Sequence, residues 1–372
     1  MKILVFNWRD IRNPEAGGGE VNIHEQAKRW VEWGHQVNMF TARPKGHKVQ
    51  DKIDGIEIFR AGGRFTVYFW AIFIYLLVLR KHCDVILDIE NGIPFFTPLY
   101  SRKPNACLML HVHQDQFLVE MGPLLGRIGR FSERYLIPIF YRNSKFIAIS
   151  DSTVKNMRQT FRWASGLKVN VVRPGIDRTL YAPDGEEFAN PTILYLGRIK
   201  SYKRLPSLIA MMPKVREKVP EAELLVAGRG DAMDEAKEEA ERCGASRFVR
   251  FLGHVSEEEK IGLLMGAWVM ATPSMNEGWG MTAIEANACG TPAVAYRVSG
   301  LDESISEGQS GLLADSDEEF IAHLISILGD PELRQRLSRG AINWALAFDW
   351  DETARDMLAA LEESVGVRSS TI

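Results

Sequence analysis

Two consecutive series of strand and helix patterns constrain the fold of this chain more than any other feature. The apolar run at residues 2–6 predicts a buried strand, residues 20–33 predict a helix, and residues 35–40 predict the next strand. This order is the opening unit of a doubly wound sheet. The same alternation restarts at residues 192–196. The chain is therefore expected to be an α/β protein with two parallel sheets.

Chain length and a polar linker predict where the domains divide. At 372 residues, the chain is long enough for two domains with complete cores. Residues 173–191 form a polar segment between the two alternating series. We therefore predict a Rossmann-like domain at residues 1–175 and a second Rossmann-like domain at residues 176–347.

Charge and cysteine content exclude some functional classes. The formal net charge is −3, so we expect no general attraction to nucleic acid. The four cysteines are far apart and form no metal-binding pair, which predicts a reduced, cytoplasmic protein without disulfides. Residues 1–6 predict a strand rather than a signal peptide.

Residues 273–292 contain two carboxylates beside a predicted helix start. Glu277 precedes Gly278, Trp279 and Gly280, and Glu285 lies within the predicted helix. Backbone N–H groups at a helix start suit phosphate or a sugar hydroxyl, so one interpretation is half of a nucleotide-sugar site. The other is a buried helix N-terminus capped by Glu277. Residues 273–292 alone do not decide between these two interpretations.

The triple glycine Gly17-Gly18-Gly19 lies between a predicted strand and a predicted helix. This placement favours a phosphate-binding loop, although a tight turn without a ligand is the alternative. The glycine spacing is not that of a dinucleotide-binding fingerprint.

Residues 197–204 place Arg198 and Lys203 just beyond a predicted strand. The two cations are suited to neutralise a diphosphate leaving group. A solvated basic loop is the alternative.

Histidines and carboxylates follow two strands of the first series. His111 ends a predicted strand, and we expect His111 and His113 to point to opposite faces if that strand continues. A histidine at this place can bind a ligand or be structural. Asp88 and Glu90 form only a weak metal-like pattern, and no metal site is predicted.

Two segments raise the question of membrane contact. Residues 65–79 are uncharged and apolar, but they are shorter than the roughly 20 residues that a spanning helix needs. Residues 124–145 combine arginines with aromatic and aliphatic side chains. We favour a core helix packed on a sheet for residues 65–79 and an ordinary solvated face for residues 124–145, and membrane contact is the alternative for both.

The candidate residues all follow predicted strands. Ligands bind such sheets at the carboxyl ends of the strands. We therefore expect the two domains to face each other across one cleft.

Taken together, the chain resembles the GT-B fold retaining glycosyltransferases of family 4, which use nucleotide sugars. Glu277 and Glu285, within residues 276–292, resemble the E-x7-E signature of this family, with Trp279 where phenylalanine is commoner. Gly197-Arg198 with Lys203 resembles its diphosphate-binding pair. Further segments that resemble the family lie at residues 17–20, 34–37, 149–152, 173–177, 299–303 and 348–350.

The resemblance implies roles for individual residues. His111 and Glu277 would contact the transferred sugar, and Arg198 with Lys203 would stabilise the departing diphosphate. Glu285 would bind the ribose hydroxyls. The remaining donor-binding residues would be Gly17, Gly18, Gly19, Gly228, Arg229, Val255, Gly278, Trp279, Gly280 and Met281.

The resemblance also implies the overall activity. It implies retaining transfer of a sugar from a UDP- or GDP-linked donor to a glycan, lipid-linked or small-molecule acceptor, without a metal or other cofactor. The last helix, at residues 348–372, would cross back to the first domain. Peripheral membrane contact on the cytoplasmic face is expected if the acceptor is lipid-linked. The alternatives are an epimerase-like enzyme on the same fold and a non-catalytic nucleotide-sugar-binding protein.

Overall fold

The computed structural model describes residues 1–369, except for the side chains of residues 115, 119–121 and 367–369. The chain divides into two compact units. The first comprises Met1–Gly175 together with the chain from Trp350 onward, and the second comprises Ile176–Asp349. The boundaries expected from the sequence lie at 175/176 and 347/348, so the second differs by two residues from the observed division.

An eight-stranded sheet forms the centre of the first unit. Its spatial order is β3-β4-β2-β1-β5-β6-β7-β8, and every pairing is parallel except that between β3 and β4. The bounds of the strands are β1 (Lys2–Phe6), β2 (Gln36–Thr41), β3 (Gln50–Ile53), β4 (Ile56–Arg60), β5 (Val85–Glu90), β6 (Asn105–Met109), β7 (Lys145–Ala148) and β8 (Val169–Val171).

The antiparallel edge strand β3 departs from the expected parallel sheet. It joins β4 through Asp54 and Gly55, which both have positive φ, at 48° and 82°. Asp-Gly pairs are typical of two-residue hairpins with this backbone conformation. The hairpin signal was therefore present in the sequence, although the polar strand lacks the apolar run of the others.

Helices cover both faces of the first sheet. Their bounds are α1 (Gly18–Glu32), α2 (Val67–Leu77), α3 (Gln114–Phe131), α4 (Ile137–Phe140) and α5 (Asp151–Thr160). The sequence predicts an irregular helix at residues 124–141 that Pro138 interrupts, whereas the observed helix begins at Gln114. Gly122, with φ 73°, and Pro123 kink it, and a π-helical turn at Ser132–Leu136 joins it to α4. Because Pro138 lies in the first turn of α4, it does not interrupt that helix.

A six-stranded parallel sheet forms the centre of the second unit, in the order β11-β10-β9-β12-β13-β14. The bounds of its strands are β9 (Thr192–Leu196), β10 (Glu223–Ala227), β11 (Val249–Gly253), β12 (Val269–Thr272), β13 (Ala293–Tyr296) and β14 (Gly311–Ala314). The bounds of its helices are α6 (Leu205–Lys218), α7 (Met233–Arg242), α8 (Glu257–Gly266), α9 (Met281–Ala288), α10 (Leu301–Ser304), α11 (Asp317–Gly329) and α12 (Pro331–Ala345).

The last helix, α13 (Trp350–Ser369), belongs to the first unit. The Trp30 indole N–H donates to the Ala354 carbonyl at 2.9 Å, and the Arg29 guanidinium pairs with Asp351 at 2.7 Å. The helix thus packs on α1, as the resemblance implies. The sequence predicts a frayed tail from residue 365, whereas the helix continues to Ser369; residues 370–372 lie outside the described residues.

Each sheet has one point at which the strand order reverses. In the first unit this point lies between β1 and β5, and in the second between β9 and β12. The carboxyl ends of such strand pairs open into a crevice where α/β proteins bind ligands. Among residues 1–369, no helix is long and apolar enough to cross a membrane.

Candidate active site

Lys203 and Glu277 meet at the switch point of the second sheet. Lys203 lies in the loop after β9, and Glu277 lies in the loop after β12. The Lys203 ammonium forms an ion pair with the Glu277 carboxylate, and both side chains are mostly buried. A backbone bond of 3.0 Å from the Met275 N–H to the Tyr202 carbonyl joins the two loops. Two residues singled out by sequence are therefore in contact.

Glycines determine how closely the loops around this pair approach. Gly300 has φ 82°, and a Cβ there would lie 2.6 Å from the Glu277 carbonyl oxygen. The Glu277 N–H donates to the Ser299 carbonyl at 3.1 Å. Only glycine fits the crowded, left-handed position at Gly300. Ser299, which replaces a glycine of the resembled family motif, leaves this contact in place.

The N-terminus of α9 follows Glu277 directly. Gly280 is its N-cap residue, with φ 87° and ψ 50°. The first N–H groups of a helix have no partner within the helix, and the helix dipole makes this end attractive to anions. The sequence predicts helical character at residues 281–288, and the observed helix has the same bounds, Met281–Ala288. The backbone here is suited to bind an anionic or hydroxyl-bearing ligand beside Glu277.

Glu285 lies within α9, with only 8% of its surface exposed. Its Oε1 atom accepts from the Lys260 ammonium at 3.3 Å and lies 3.3 Å from the Tyr181 hydroxyl oxygen. Its Oε2 atom is buried without a hydrogen-bond partner. Burial raises the pKa of Glu285, and Lys260 opposes that shift. One carboxylate oxygen is thus free to accept hydrogen bonds from a ligand.

Sequence reasoning missed the residues around Glu285. Lys260 lies in α8, where it also pairs with Glu257 at 2.7 Å, and the Tyr181 hydroxyl donates to Glu257. Tyr181 is 104 positions from Glu285 in the sequence. The charged start of α8 suggests a solvated helix end, so no local pattern predicts this cluster.

Arg198 is exposed at the start of the loop that follows β9. Its guanidinium lies 3.4 Å from the Tyr202 hydroxyl, and its carbonyl accepts from the Tyr195 hydroxyl at 3.0 Å. The predicted pair of cations, Arg198 and Lys203, therefore lies in one short loop at the sheet edge. An exposed guanidinium here can reach a bound phosphate.

Gly228 and Arg229 follow β10, beside the loop after β9. A Cβ at Gly228, which has φ 147°, would lie 1.8 Å from the Gly197 carbonyl oxygen. The Gly228 N–H donates to the Gly253 carbonyl at 2.7 Å, so the ends of three strands are held together. Arg229 is exposed, and Val255 lies two residues beyond β11. These residues border the same edge of the sheet.

Trp279 is buried, at 3% exposure, rather than lining an open surface. Its ring packs edge-on against Phe348 at 5.4 Å between centroids. Its indole N–H has no hydrogen-bond partner among the described residues. Its packing against the interior of the second unit explains the large ring at this position.

The triple glycine of the first unit begins α1 instead of preceding it. Gly17 is the N-cap residue, and Gly18 and Gly19 are the first helical residues. The Glu20 carboxylate accepts from the Gly17 N–H at 2.8 Å, and it also pairs with the buried Arg9 at 3.0 Å. A Cβ at Gly19 would lie 3.0 Å from Leu110. The glycines thus expose the N-terminus of α1.

His111 and His113 do not point to opposite faces, because the strand on whose continuation that expectation depended ends before them. Because β6 ends at Met109, the pleat does not continue, and the two rings lie against each other, tilted by 37°, with centroids 3.7 Å apart. The His111 Nε2 atom lies 2.8 Å from the Gln116 side-chain oxygen. His111 therefore lies at the carboxyl edge of the first sheet.

His113 belongs to a buried cluster with Glu90 and Glu133. One ligand atom of each lies within 4.8 Å of the others, close enough for a cation. Burial and the Glu133 charge raise the pKa of Glu90 well above its usual value. Burial also raises the pKa of Glu133 to about 7 and lowers that of His113 to about 3. At neutral pH the His113 imidazole is therefore neutral, and burial favours the protonated form of Glu90.

Asp88 is separate from this cluster. Its carboxylate accepts from the Phe95 N–H at 3.0 Å, the Thr97 hydroxyl at 2.8 Å and the Tyr141 hydroxyl. These donors satisfy it, so Asp88 and Glu90 do not form a carboxylate clamp.

Two family models match consecutive parts of the chain. The model of glycosyltransferase family 4 matches residues 16–180, and the model of glycosyl transferases group 1 matches residues 183–344. The D-inositol 3-phosphate glycosyltransferase of Jonesia denitrificans is 32% identical over 94% of this chain and 92% of its own length. The Corynebacterium glutamicum protein of the same name is 30% identical over 53% of this chain, and the match spans 52% of that relative.

Solved structures share the fold at low sequence identity. Sucrose-phosphate synthase from Thermosynechococcus elongatus has a TM-score of 0.82 at 19% identity, over 98% of this chain and 99% of that one. HepE from Anabaena, solved with UDP and glucose, has a TM-score of 0.75 at 17% identity, over 98% of this chain and 100% of that one. With the family models and the full-length relative, these matches show that the chain belongs to the GT-B glycosyltransferases of family 4.

Proposed function

We propose that this glycosyltransferase moves a hexosyl group, with retention of configuration, from a UDP- or GDP-linked sugar to a glycan, lipid-linked or small-molecule acceptor. The observation that carries the proposal is the Lys203–Glu277 pair at the switch point of the second sheet, beside the N-terminus of α9. A cation beside a carboxylate suits a ligand that joins phosphate to a sugar. The complex of HepE with UDP and glucose supports this donor class.

Arg198 and Lys203 act on the leaving group. As the bond between the anomeric carbon and the β-phosphate oxygen breaks, negative charge develops on the diphosphate. The two cations stabilise that charge more in the transition state than in the ground state. Glu277 accepts hydrogen bonds from sugar hydroxyls, and it also orients the Lys203 ammonium.

Retention follows if the acceptor attacks from the face that the diphosphate leaves. The bond from the acceptor oxygen to the anomeric carbon then forms on that face. The acceptor proton passes to a phosphate oxygen of the departing nucleoside diphosphate, so no enzyme nucleophile is needed. His111 contacts the transferred sugar in this proposal.

Glu285 binds the ribose. Its buried, unpartnered Oε2 atom is able to accept from a ribose hydroxyl, while Lys260 and Tyr181 hold the other oxygen. A buried acceptor without a donor costs free energy, and a ligand hydroxyl would remove that cost. Gly228, Arg229 and Val255 would then border the base.

The proposed reaction needs no metal ion. Protein cations at the diphosphate would take the role that Mg²⁺ has in many phosphate-binding sites. Activity should survive extensive dialysis against EDTA. Loss of activity that added Mg²⁺ or Mn²⁺ restores would overturn this part of the proposal.

The enzyme is proposed to work in the cytoplasm. All four cysteines lie in the described part of the chain and are free thiols, which is typical of proteins from reducing compartments. Cell fractionation would test this location, and recovery of the protein outside the cytoplasmic and membrane fractions would contradict it.

A donor and acceptor panel tests the proposed reaction. UDP- and GDP-linked hexoses would be incubated with candidate acceptors, including D-inositol 3-phosphate, the compound in the name of the relatives. Proton NMR of the product would report the anomeric configuration. We expect one donor to give a product with the donor's configuration. An inverted product would rule out retention, isomerised nucleotide sugar would indicate an epimerase, and binding without turnover would indicate a non-catalytic protein.

Two substitutions test the assignment of the site. Arg198→Ala and Glu277→Ala should abolish transfer while the melting temperature stays close to that of the wild type. Undiminished turnover in both variants would refute the assignment.

A further inference from the structure

All sides of helix α2 are apolar, but only one side packs on the sheet. Val67, Ala71 and Tyr75 are buried in the core of the first unit. On the opposite side, Phe69 and Leu77 are exposed, Leu77 to 80%. A helix that is hydrophobic all round is ordinarily buried in protein or in lipid. The core-helix interpretation therefore accounts for one face of α2 and leaves the other unexplained.

The segment from the end of α3 to α4 adds a second exposed apolar surface. Its outward side chains are Leu124, exposed to 73%, and Leu125, Ile128, Phe131, Tyr135 and Ile139. We call these side chains, together with the outward ones of α2, the apolar face. The outward side chains of α2 and its flanks are Phe65, Phe69, Trp70, Ile72, Phe73, Leu76, Leu77 and Val78. Clusters of exposed apolar side chains on a protein surface are typical of interaction sites.

Both parts of the apolar face lie over the same side of the first sheet. Helix α2 packs on Ile86 of β5, and α4 packs on Cys107 of β6. Asp88 of β5 is in register with Cys107, and residues two apart along a strand share a face. Ile86 and Cys107 therefore point the same way, so α2 and α4 cover one side of the sheet.

The exposed charges within the two segments that carry the apolar face, residues 61–83 and 122–145, have one sign. Residues 61–83 contain no aspartate or glutamate, and the only acidic residue within 122–145 is Glu133, which is buried. The exposed cations of these segments are Arg64, Arg80, Lys81, Arg127, Arg134 and Arg142. Basic residues that flank apolar side chains complement the anionic headgroups of a bilayer.

We propose that the apolar face rests on an anionic lipid bilayer, with α2 lying in the plane of the interface. At 11 residues, α2 is about 16 Å long, well short of a bilayer core. It therefore lies on the membrane instead of crossing it. Resting on the proposed function, this placement makes a lipid-linked molecule the acceptor class, because such an acceptor is held at that surface.

Vesicle flotation tests the proposal with the full-length protein. Vesicles of phosphatidylcholine alone would be compared with vesicles that also contain phosphatidylglycerol. We expect the protein to float with the anionic vesicles and remain behind with the neutral ones, and binding should weaken as salt rises. Absence from the anionic vesicles, or equal binding to both kinds, would overturn the proposal.

Substitutions separate the apolar and basic contributions. The triple variant Phe69→Ser, Phe73→Ser, Leu77→Ser removes one apolar stripe, and Arg127→Glu with Arg134→Glu reverses two charges. Each should reduce vesicle partitioning by about tenfold or more. The matched controls are Leu346→Ser and Arg247→Glu, which change exposed side chains of the second unit. Controls that lose as much binding as the test variants would contradict the assignment of the face.

A second copy of the chain is the competing occupant. Light scattering without lipid distinguishes it, because a dimer interface predicts a dimer that the triple variant converts to a monomer. That result would overturn the membrane proposal. Donor hydrolysis or transfer to a soluble acceptor without vesicles should be equal in wild type and variants. A failure of vesicle binding is thus distinguishable from a failure of the proposed transfer.

Discussion

Lys203 and Glu277 are 74 positions apart in the sequence, yet they form an ion pair at the carboxyl edge of one sheet. The family resemblance predicts that both residues act on the donor. Their contact is consistent with that prediction, because a diphosphate sugar bound here would lie beside both a cation and a hydrogen-bond acceptor. The charge on Glu277 matters both for hydroxyl binding and for the orientation of Lys203.

Glu277→Gln tests the role of that charge. Gln keeps the shape of the side chain but releases Lys203 and weakens the acceptor, so turnover should fall by about a hundredfold or more. The protein should remain folded, as thermal denaturation would show. Glu57→Gln is the matched control, because Glu57 pairs with Lys52 at 2.9 Å on the surface of the first unit. Equal losses in the two variants would contradict a specific role for Glu277.

The buried Glu133 predicts a pH-dependent stability. Because its folded pKa is about 7, above the usual 4.5, the folded state binds more protons than the unfolded state between these values. Stability should therefore fall as pH rises through this window, by up to about 3 kcal/mol. Glu133→Gln cannot titrate, so its stability relative to the wild type should increase as pH rises.

Urea denaturation at about pH 5 and about pH 8 measures this effect. The difference between the free energies of unfolding of Glu133→Gln and wild type should shift in favour of the variant at the higher pH. Leu346→Ser, which changes no titratable group, should keep a constant difference from the wild type. Parallel pH profiles for Glu133→Gln and wild type would show that Glu133 is ionised at both pH values.

A site residue could be predicted from the sequence where it belongs to a motif. It could not be predicted where it reaches the site from an element distant in the chain. The motif around Glu277 and Glu285 identifies both. It carries no information about Tyr181 or Lys260, which reach Glu285 from other elements. The contact between the His111 and His113 rings depends on where β6 ends, which an apolar pattern defines only to within a few residues.

Loops at the carboxyl ends of β9, β10 and β11 pack by direct backbone contact. The Gly197 N–H donates to the Ala227 carbonyl at 3.0 Å, and the Gly228 N–H donates to the Gly253 carbonyl. Side chains would separate these strands. At the scale of elements, these glycines thus allow Arg198 and Arg229 to lie at the same carboxyl edge of the second sheet.

Gly228→Ala tests this packing. The added Cβ would collide with the Gly197 carbonyl, and φ 147° is unfavourable for alanine, so the variant should lose about 3 kcal/mol and bind donor more weakly. Gly262→Ala is the control: it lies in the exposed part of α8 with nothing within 4 Å of its Cβ. That variant should gain about 1 kcal/mol through helix propensity. A free energy of unfolding that is unchanged in Gly228→Ala would contradict the tight backbone contact.

The alternation of strands and helices was predictable because most strands of both sheets are buried apolar runs. The elements that sequence missed lack that signal. β3 is polar and lies at an edge, and β14 and α10 have only four residues each. α2 is a different case, since its apolar pattern predicts a helix but does not tell which side remains exposed.

At the scale of the whole molecule, two Rossmann-like units each present a switch point with candidate residues. The second unit holds Lys203, Glu277 and Glu285, and the first holds the α1 N-terminus and His111. Membership of the glycosyltransferase family rests on matches along nearly the whole chain. The fold class was predictable from sequence because the alternation repeats. The identity of the sugar was not, because side chains from several distant elements form the site.

The central claim is that the edge of the second sheet binds a nucleoside diphosphate sugar, and calorimetric titration of the full chain tests it most directly. UDP- and GDP-linked hexoses would be titrated into wild type, Arg198→Met, Glu285→Gln and the control Arg247→Met. We predict saturable binding of one donor to wild type and control, and Kd values about tenfold or more higher for the two site variants. Absence of binding by every donor, or equal Kd values for wild type and the folded site variants, would contradict the claim.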